Sequence, residues 1–167
     1  EAHTDLVKKL DYECELAVVL GKDAKDVPAG QTRDYIFGYT ILNDVSARDV
    51  QTAHKQWYFG KSLDGFTPIG PCIVTADAFA DYPPRLGIRS FVNGEKRQDS
   101  NTALQIFDID HVIAELSQGM TLKAGTIIAT GTPAGVGMGM DPPQFLKPGD
   151  VVRCEIEGIG TLTNPVE

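Results

Sequence analysis

Residues 12–20 constrain the fold more than any other segment. The run Tyr-Glu-Cys-Glu-Leu-Ala-Val-Val-Leu is apolar at its centre, alternates at its start and stops at Gly21-Lys22-Asp23, the pattern of a buried strand closed by a turn. On a strand successive side chains leave opposite faces, so Glu13 and Glu15 share one face and Cys14 and Leu16 the other. Two carboxylates about 4 Å apart repel by roughly 4 kcal/mol at an effective dielectric constant of about 20. A strand this apolar therefore needs solvent, a proton, a basic side chain or a bound cation beside those acids. A third acid, Asp44, ends the next predicted strand, and three hard oxygen ligands from separate positions suit Mg²⁺, Mn²⁺ or Ca²⁺. Glu-x-Glu is also common on solvated strands, and spacing alone leaves both meanings open.

The rest of the chain reads as mostly β, an α+β architecture of one domain over residues 1–167, the size expected at roughly 150 residues per domain. Residues 35–44 are aromatic and β-branched, a second strand after the first, and the connection holding Pro28-Ala29-Gly30 is a loop or one short helical turn. Residues 47–54 form a short helix, and 66–74, broken by Pro68, Gly70 and Pro71, an irregular edge strand. Inside 86–98, Asn93-Gly94 supplies the two positive-φ residues of a type I′ hairpin turn. Asp108 caps a helix running to about Gln118, with Ile109, Val112, Ile113 and Leu116 on one face and Gly119 as its stop. Residues 127–130 and 151–156 are short strands, separated by a glycine-dense loop and the turn Lys147-Pro148-Gly149-Asp150.

Charge and motif spacing remove several classes of function. Fifteen Lys and Arg against 23 Asp and Glu give a net charge of −8, a field that repels nucleic-acid phosphates and anionic lipid headgroups. Neither a nucleic acid nor a membrane is expected as a partner. The longest uncharged stretch, 124–140, carries five glycines and a proline and lacks the Leu/Ile/Val density of a membrane span. The start, Glu-Ala-His-Thr-Asp-Leu, does not read as a signal peptide, so the expected location is intracellular, cytoplasmic or mitochondrial. Cys14, Cys72 and Cys154 are widely spaced and read as core thiols. His3, His54 and His111 assemble no zinc set by spacing, and His54 reads as a solvated helix residue. Gly60-Lys61-Ser62 imitates the end of a phosphate loop, but Lys55 stands where that motif needs glycine. The segment Gly131-Thr132-Pro133-Ala134-Gly135-Val136-Gly137-Met138-Gly139 lacks dinucleotide spacing and fits either a loop whose backbone N–H groups approach an anion or a flexible connection.

Taken together and in order, Asp11-Tyr12-Glu13-Cys14-Glu15-Leu16, Gly38-Tyr39-Thr40, Asn43-Asp44-Val45-Ser46-Ala47-Arg48-Asp49-Val50-Gln51, Gly60-Lys61-Ser62, Gly70-Pro71, Val92-Asn93-Gly94-Glu95 and Thr130-Gly131-Thr132-Pro133-Ala134-Gly135-Val136-Gly137 resemble the fumarylacetoacetate hydrolase family across residues 11–165. The resemblance implies a mixed β-roll or distorted β-barrel with a few peripheral helices, usually a homodimer. It implies Mg²⁺ or Mn²⁺, or Ca²⁺ in a crystal, on the positions of Glu13, Glu15 and Asp44. Substrates of such proteins are 2,4-dioxo acids such as acylpyruvates or fumarylpyruvate, or the smaller oxaloacetate. By the same resemblance Lys61 and Thr132 are catalytic. Lys61 stabilises a developing enolate, and Thr132 with Gly131 holds the substrate carboxylate, while Arg48 and Gln51 organise the site and contact the ligand. The first functional expectation is hydrolysis of a C–C bond in a 2,4-dioxo acid through a metal-chelated enolate. An oxaloacetate tautomerase or decarboxylase on the same site is the alternative, towards which residues 142–150 point, and a non-catalytic metal-binding dimer scaffold is the third. Hydrolytic relatives carry a His and a Glu on an upstream lid, which this chain, beginning twelve residues before Glu13, is expected to lack. Gln105 stands where the family pattern has Met.

Overall fold

The computed structural model describes residues 1–53 and 55–167. In chain order its strands are β1 (Leu10–Asp11), β2 (Cys14–Leu20), β3 (Ile36–Asn43), β4 (Ser46–Ala47), β5 (Ile69–Thr75), β6 (Gly87–Val92), β7 (Glu95–Asn101), β8 (Ile127–Ala129), β9 (Val151–Ile156) and β10 (Gly160–Pro165). Three short helices, α1 (Arg48–Ala53), α2 (Tyr58–Lys61) and α3 (Ile109–Leu116), lie among them. Two four-stranded sheets, ordered β5-β3-β2-β8 and β10-β9-β6-β7, form the body, and β1 pairs with β4 in a separate ribbon. Each strand pairing is antiparallel. Neither sheet closes on itself, so the architecture is an open, mostly β roll and not a barrel.

β2 is the pivot of the first sheet because it carries the most apolar run, and all seven of its residues are buried. Cys14, Leu16, Val18 and Leu20 enter the core shared with Ile88 of β6 and Val152, Cys154 and Ile156 of β9. Glu15 consequently leaves on the opposite face, as the alternation predicts. β3 spans Ile36–Asn43 beside it, with Cys14 opposite Asn43. Pro68, Gly70 and Pro71 produce the irregular edge strand expected: β5 pairs with β3 through a shifted register. Thr40, fully buried opposite the break, donates its hydroxyl to the Cys72 carbonyl at 2.8 Å and so replaces a missing ladder contact. Cys72 itself is exposed on that edge, whereas Cys14 and Cys154 are buried, which corrects the expectation of three core thiols.

Local signals translate directly elsewhere. Val92 pairs with Glu95 across Asn93 (φ 53°) and Gly94 (φ 84°), the two left-handed residues of the expected turn. Asp108 accepts a hydrogen bond from the His111 N–H at 2.8 Å and caps α3, which ends before Gly119. Ile109 and Ile113 are the buried anchors of that helix, Val112 is half-buried and Leu116 is exposed. Residues 47–54 contain α1, and His54 lies outside the described residues. Among the described residues no helix is long and apolar enough to cross a membrane. Replacing Asp108 by Ala leaves the first-turn amide of His111 without its cap and is expected to cost about 1 kcal/mol, read as a lowered urea midpoint at unchanged m-value.

Candidate functional site

The pairing of β2 with β3 sets the acids side by side. The Glu13 N–H donates to Asn43 Oδ1 at 3.0 Å, and the Asp44 N–H donates back to the Glu13 carbonyl at 2.9 Å, so the entry to β2 and the exit from β3 are stitched together. Glu13, Glu15 and Asp44 each offer a carboxyl oxygen, and these oxygens lie within 4.8 Å of one another. Lys61 joins them from the end of α2, its Nζ 3.0 Å from Glu13 Oε2 and 2.6 Å from Asp44 Oδ2. That approach depends on α1 and α2 touching at Gly60, where a Cβ would stand 2.7 Å from the Gln51 backbone nitrogen. Behind Glu13 sits buried Arg48, with Nη1 2.6 Å from Glu13 Oε1, Nε 2.9 Å from Asp11 Oδ2 and a further Nη1 bond to Gln51 Oε1 at 3.2 Å. Arg48 and Gln51 thus brace the acid cluster from within the protein.

Burial decides the electrostatics. Glu15 is 3% exposed, and desolvation, reinforced by Asp44 and Glu13 against the pull of the Gly131 N–H and Lys61, pushes its carboxyl up to about 8. Burial likewise raises the Asp44 carboxyl despite its bond to Lys61. With Glu15 protonated, Asp11, Glu13 and Asp44 already exceed Lys61 and Arg48 by one charge. Ionising Glu15 raises that excess to two, which the charge of a divalent cation matches. Three hard oxygen donors converging on one point, one of them with its carboxyl pushed up by burial, could hold a hard divalent cation.

The glycine-dense loop closes over the same strand. The Gly131 N–H donates to Glu15 Oε2 at 2.8 Å, and the Thr132 hydroxyl donates to the Cys14 carbonyl at 2.8 Å. Farther along, the N–H groups of Gly137 and Met138 reach the two oxygens of Asp11 at 2.7 and 2.9 Å. A Cβ on Gly137 would lie 2.0 Å from the Gln144 carbonyl oxygen and 2.7 Å from Asp11 Oδ1, so no other residue fits there without a shift. These backbone amides are thus bonded to the protein's own carboxyl groups.

The eight predicted residues gather in one region: Glu13, Asp44, Arg48, Gln51 and Lys61 are joined by side-chain bonds, and beside them Glu15 is bonded to Gly131, with Thr132 next in the loop. Two members escaped the sequence reading. Asp11, fully buried, accepts from Arg48, Gly137, Met138 and the Tyr12 N–H. Gln98, also fully buried, reaches across from β7 to Thr132. Asp11 stands within a quoted motif, but Gln98 shows no local signal because its partners are more than thirty positions away. His3 bonds the Asp64 carbonyl and His111 pairs with Glu115, so both have partners outside the cluster.

The family profile described as "Fumarylacetoacetate (FAA) hydrolase C-terminal" matches residues 2–167. The chain belongs to the fumarylacetoacetate hydrolase family. It is 48% identical over 166 residues to oxaloacetate tautomerase YisK of Bacillus subtilis, covering 99% of this chain and 55% of that protein. Among solved structures it superposes on the fumarylacetoacetate hydrolase EaFAH from psychrophilic Exiguobacterium antarcticum with a TM-score of 0.97 at 51% identity, over 100% of this chain and 60% of the other. It superposes on the 2-hydroxyhepta-2,4-diene-1,7-dioate isomerase from Mycobacterium marinum with a TM-score of 0.86 at 46% identity, over 96% of this chain and 59% of the other. The chain spans about half the length of the curated relatives it matches. Enzymes of this family, isomerases and a tautomerase among them, are its relatives.

The raised Glu15 value has a definite sign. Against 4.5 as the ordinary value, a folded-state value near 8 means that the folded chain keeps a proton which the unfolded chain releases throughout that window. The stability associated with the neutral carboxyl is full below the lower value and is lost as pH rises through the upper one. In chelator, urea midpoints are expected to fall from about pH 5 to about pH 8, and Glu15→Gln to flatten that slope. Because a metal needs the ionised carboxylate, Mn²⁺ affinity measured by calorimetry is expected to rise over the same window with release of a proton.

Proposed function

We propose that this chain carries the site of an enzyme acting on a small 2-oxo acid, and that interconversion of enol and keto forms, with oxaloacetate as the model substrate, is the reaction its residues support best. The observation that carries the reading is the position of Lys61 Nζ among the acids, 3.0 Å from Glu13 and 2.6 Å from Asp44, half-buried at the point where the carboxylates converge. Mg²⁺ or Mn²⁺ held by Glu13, Glu15 and Asp44 supplies Lewis acidity towards adjacent carboxylate and keto oxygens of a 2-oxo acid. Lys61 provides a fixed positive charge beside the oxygen on which enolate charge accumulates, and its Nζ carries protons in a partly dehydrated place. Thr132 and Gly131 border the same acids and form the side of the site that receives the substrate carboxylate. Arg48 and Gln51 keep Glu13 in place, since a ligand carboxylate that drifts by 1 Å loses much of its value. The relationship to an oxaloacetate tautomerase supports this reading.

Cleavage of an acylpyruvate by water is the second reading, favoured by the likeness to EaFAH. It draws on the same enolate-stabilising charges and adds the demand for a base that activates water, a role that none of the assembled side chains holds in this reading. A homodimer belongs to either version. The exposed side chains of Leu104, Ile106 and Phe107, just before α3, offer an apolar surface for a second copy.

Enol absorbance followed with oxaloacetate and Mg²⁺ is expected to show chelator-sensitive interconversion. Lys61→Met is expected to slow it by about 10²–10³-fold, the range for loss of one preorganised electrostatic contact, while the fold stays intact. Glu13→Gln or Asp44→Asn is expected to weaken Mn²⁺ binding in calorimetry, and unchanged affinity in both would remove the metal assignment. Formation of pyruvate and a free acid from an acylpyruvate would instead place hydrolysis first.

A further inference from the structure

Gln98 is a fully buried amide that spans from the second sheet to the site. Its Oε1 accepts the Cys14 N–H at 3.1 Å, and its Nε2 donates to Thr132 Oγ1 at 2.8 Å and to the Pro133 carbonyl at 2.7 Å. Those partners leave the amide one orientation. A backbone N–H can only donate, so it must face Oε1, and a carbonyl can only accept, so it must face Nε2. Both Nε2 hydrogens are then committed, and Thr132 Oγ1 can meet Gln98 only as an acceptor. A hydroxyl has a single proton. The proton of Thr132 must therefore point away from Gln98, and it bonds the Cys14 carbonyl at 2.8 Å.

We infer that Gln98 is a positioning residue which fixes the polarity of the Thr132 hydroxyl, so that its proton goes to an acceptor, the Cys14 carbonyl or an oxygen of the substrate, and never to Gln98. The inference rests on the reading of Thr132 as the contact to the substrate carboxylate. A ligand oxygen arriving at Thr132 competes with one partner only, the Cys14 carbonyl, because turning the proton towards Gln98 would set it against the Nε2 hydrogens. Donation from Gln98 into the same oxygen also polarises the O–H bond and strengthens the hydrogen bond it gives. Gln98 touches no substrate in this scheme. It holds Thr132 and Pro133 against β2, the strand that carries the acids.

The test uses oxalate, a small non-reacting dicarboxylate, titrated calorimetrically into the chain with Mn²⁺, together with KM and kcat for oxaloacetate. The chain is compared with Thr132→Val, Gln98→Met, the double variant, and Gln98→Glu, which preserves volume and the acceptor for the Cys14 N–H if Gln98→Met folds poorly. Thr132→Val and Gln98→Met are each expected to weaken oxalate by on the order of tenfold, as for a hydrogen bond to a charged group. The double variant is expected to bind no more weakly than Thr132→Val within about twofold, because Gln98 acts on the ligand only through the Thr132 hydroxyl. KM should move more than kcat. Gln98→Glu, which when ionised demands the Thr132 proton for itself, is expected to bind as weakly as Thr132→Val. A merely structural role for Gln98 predicts additive losses of about a hundredfold in the double variant, and that result, or wild-type affinity in Gln98→Glu, overturns the inference. Wild-type oxalate affinity and KM in Thr132→Val, or no oxalate binding by the unaltered chain, overturns the reading of the site itself and the inference with it.

Discussion

Three carboxyl groups with oxygens within 4.8 Å of one another dictate most of what surrounds them. Charges taken out of water must be paired or neutralised, and this protein does both. Lys61 and Arg48 supply fixed positive charge, and Glu15, the most deeply buried of the trio, is held in its neutral form. The two shortest helices make sense in that light. Neither α1 nor α2 is long enough to be stable alone, yet one carries Arg48 and the other Lys61, and their contact at Gly60 brings both cations to the mouth of the first sheet.

A second layer keeps the first from shifting. Arg48 is divided among Asp11, Glu13 and Gln51, and Asp11 in turn takes donors from Arg48, from the glycine loop and from its own neighbour. Polar networks this deep are stable only when every member is satisfied, because each unpaired group in a low-dielectric interior is costly. The Asp11 carboxylate meets that condition with four donors. The same logic holds across the gap between sheets, where the Gln98 amide has a partner for its acceptor and for both of its donor hydrogens.

How much of this could be read in the residues depends on the range of the interaction responsible. The β2 strand, the Asn93-Gly94 turn and the Asp108 cap follow from neighbours within a few positions, and each forms where the pattern puts it. The clustering of the three acids was legible in the same way, since Glu13 and Glu15 share a face by alternation and Asp44 ends the adjacent strand. The counter-charges were legible only through the motifs in which Lys61 and Arg48 sit, because nothing local says that a four-residue helix will lean on its predecessor. β10, α2 and the ribbon of β1 with β4 depend on partners distant in the chain, and their sequences lack a periodic signal. Cys72 shows the opposite failure. Wide spacing of the three cysteines suggested core thiols, but Cys72 lies on β5, the edge strand of its sheet, and is exposed.

The glycine-dense loop leads to a different conclusion from the one its composition invites. Five glycines in residues 124–140 suggest a tether, yet the loop is pinned at Gly131 by Glu15, at Gly135 by the Tyr12 hydroxyl, and at Gly137 and Met138 by Asp11. Glycine serves there for closeness of approach and not for mobility. The conformational entropy that such residues surrender is lost once, on folding. The backbone that carries Thr132 is therefore fixed by folding itself, before any ligand arrives.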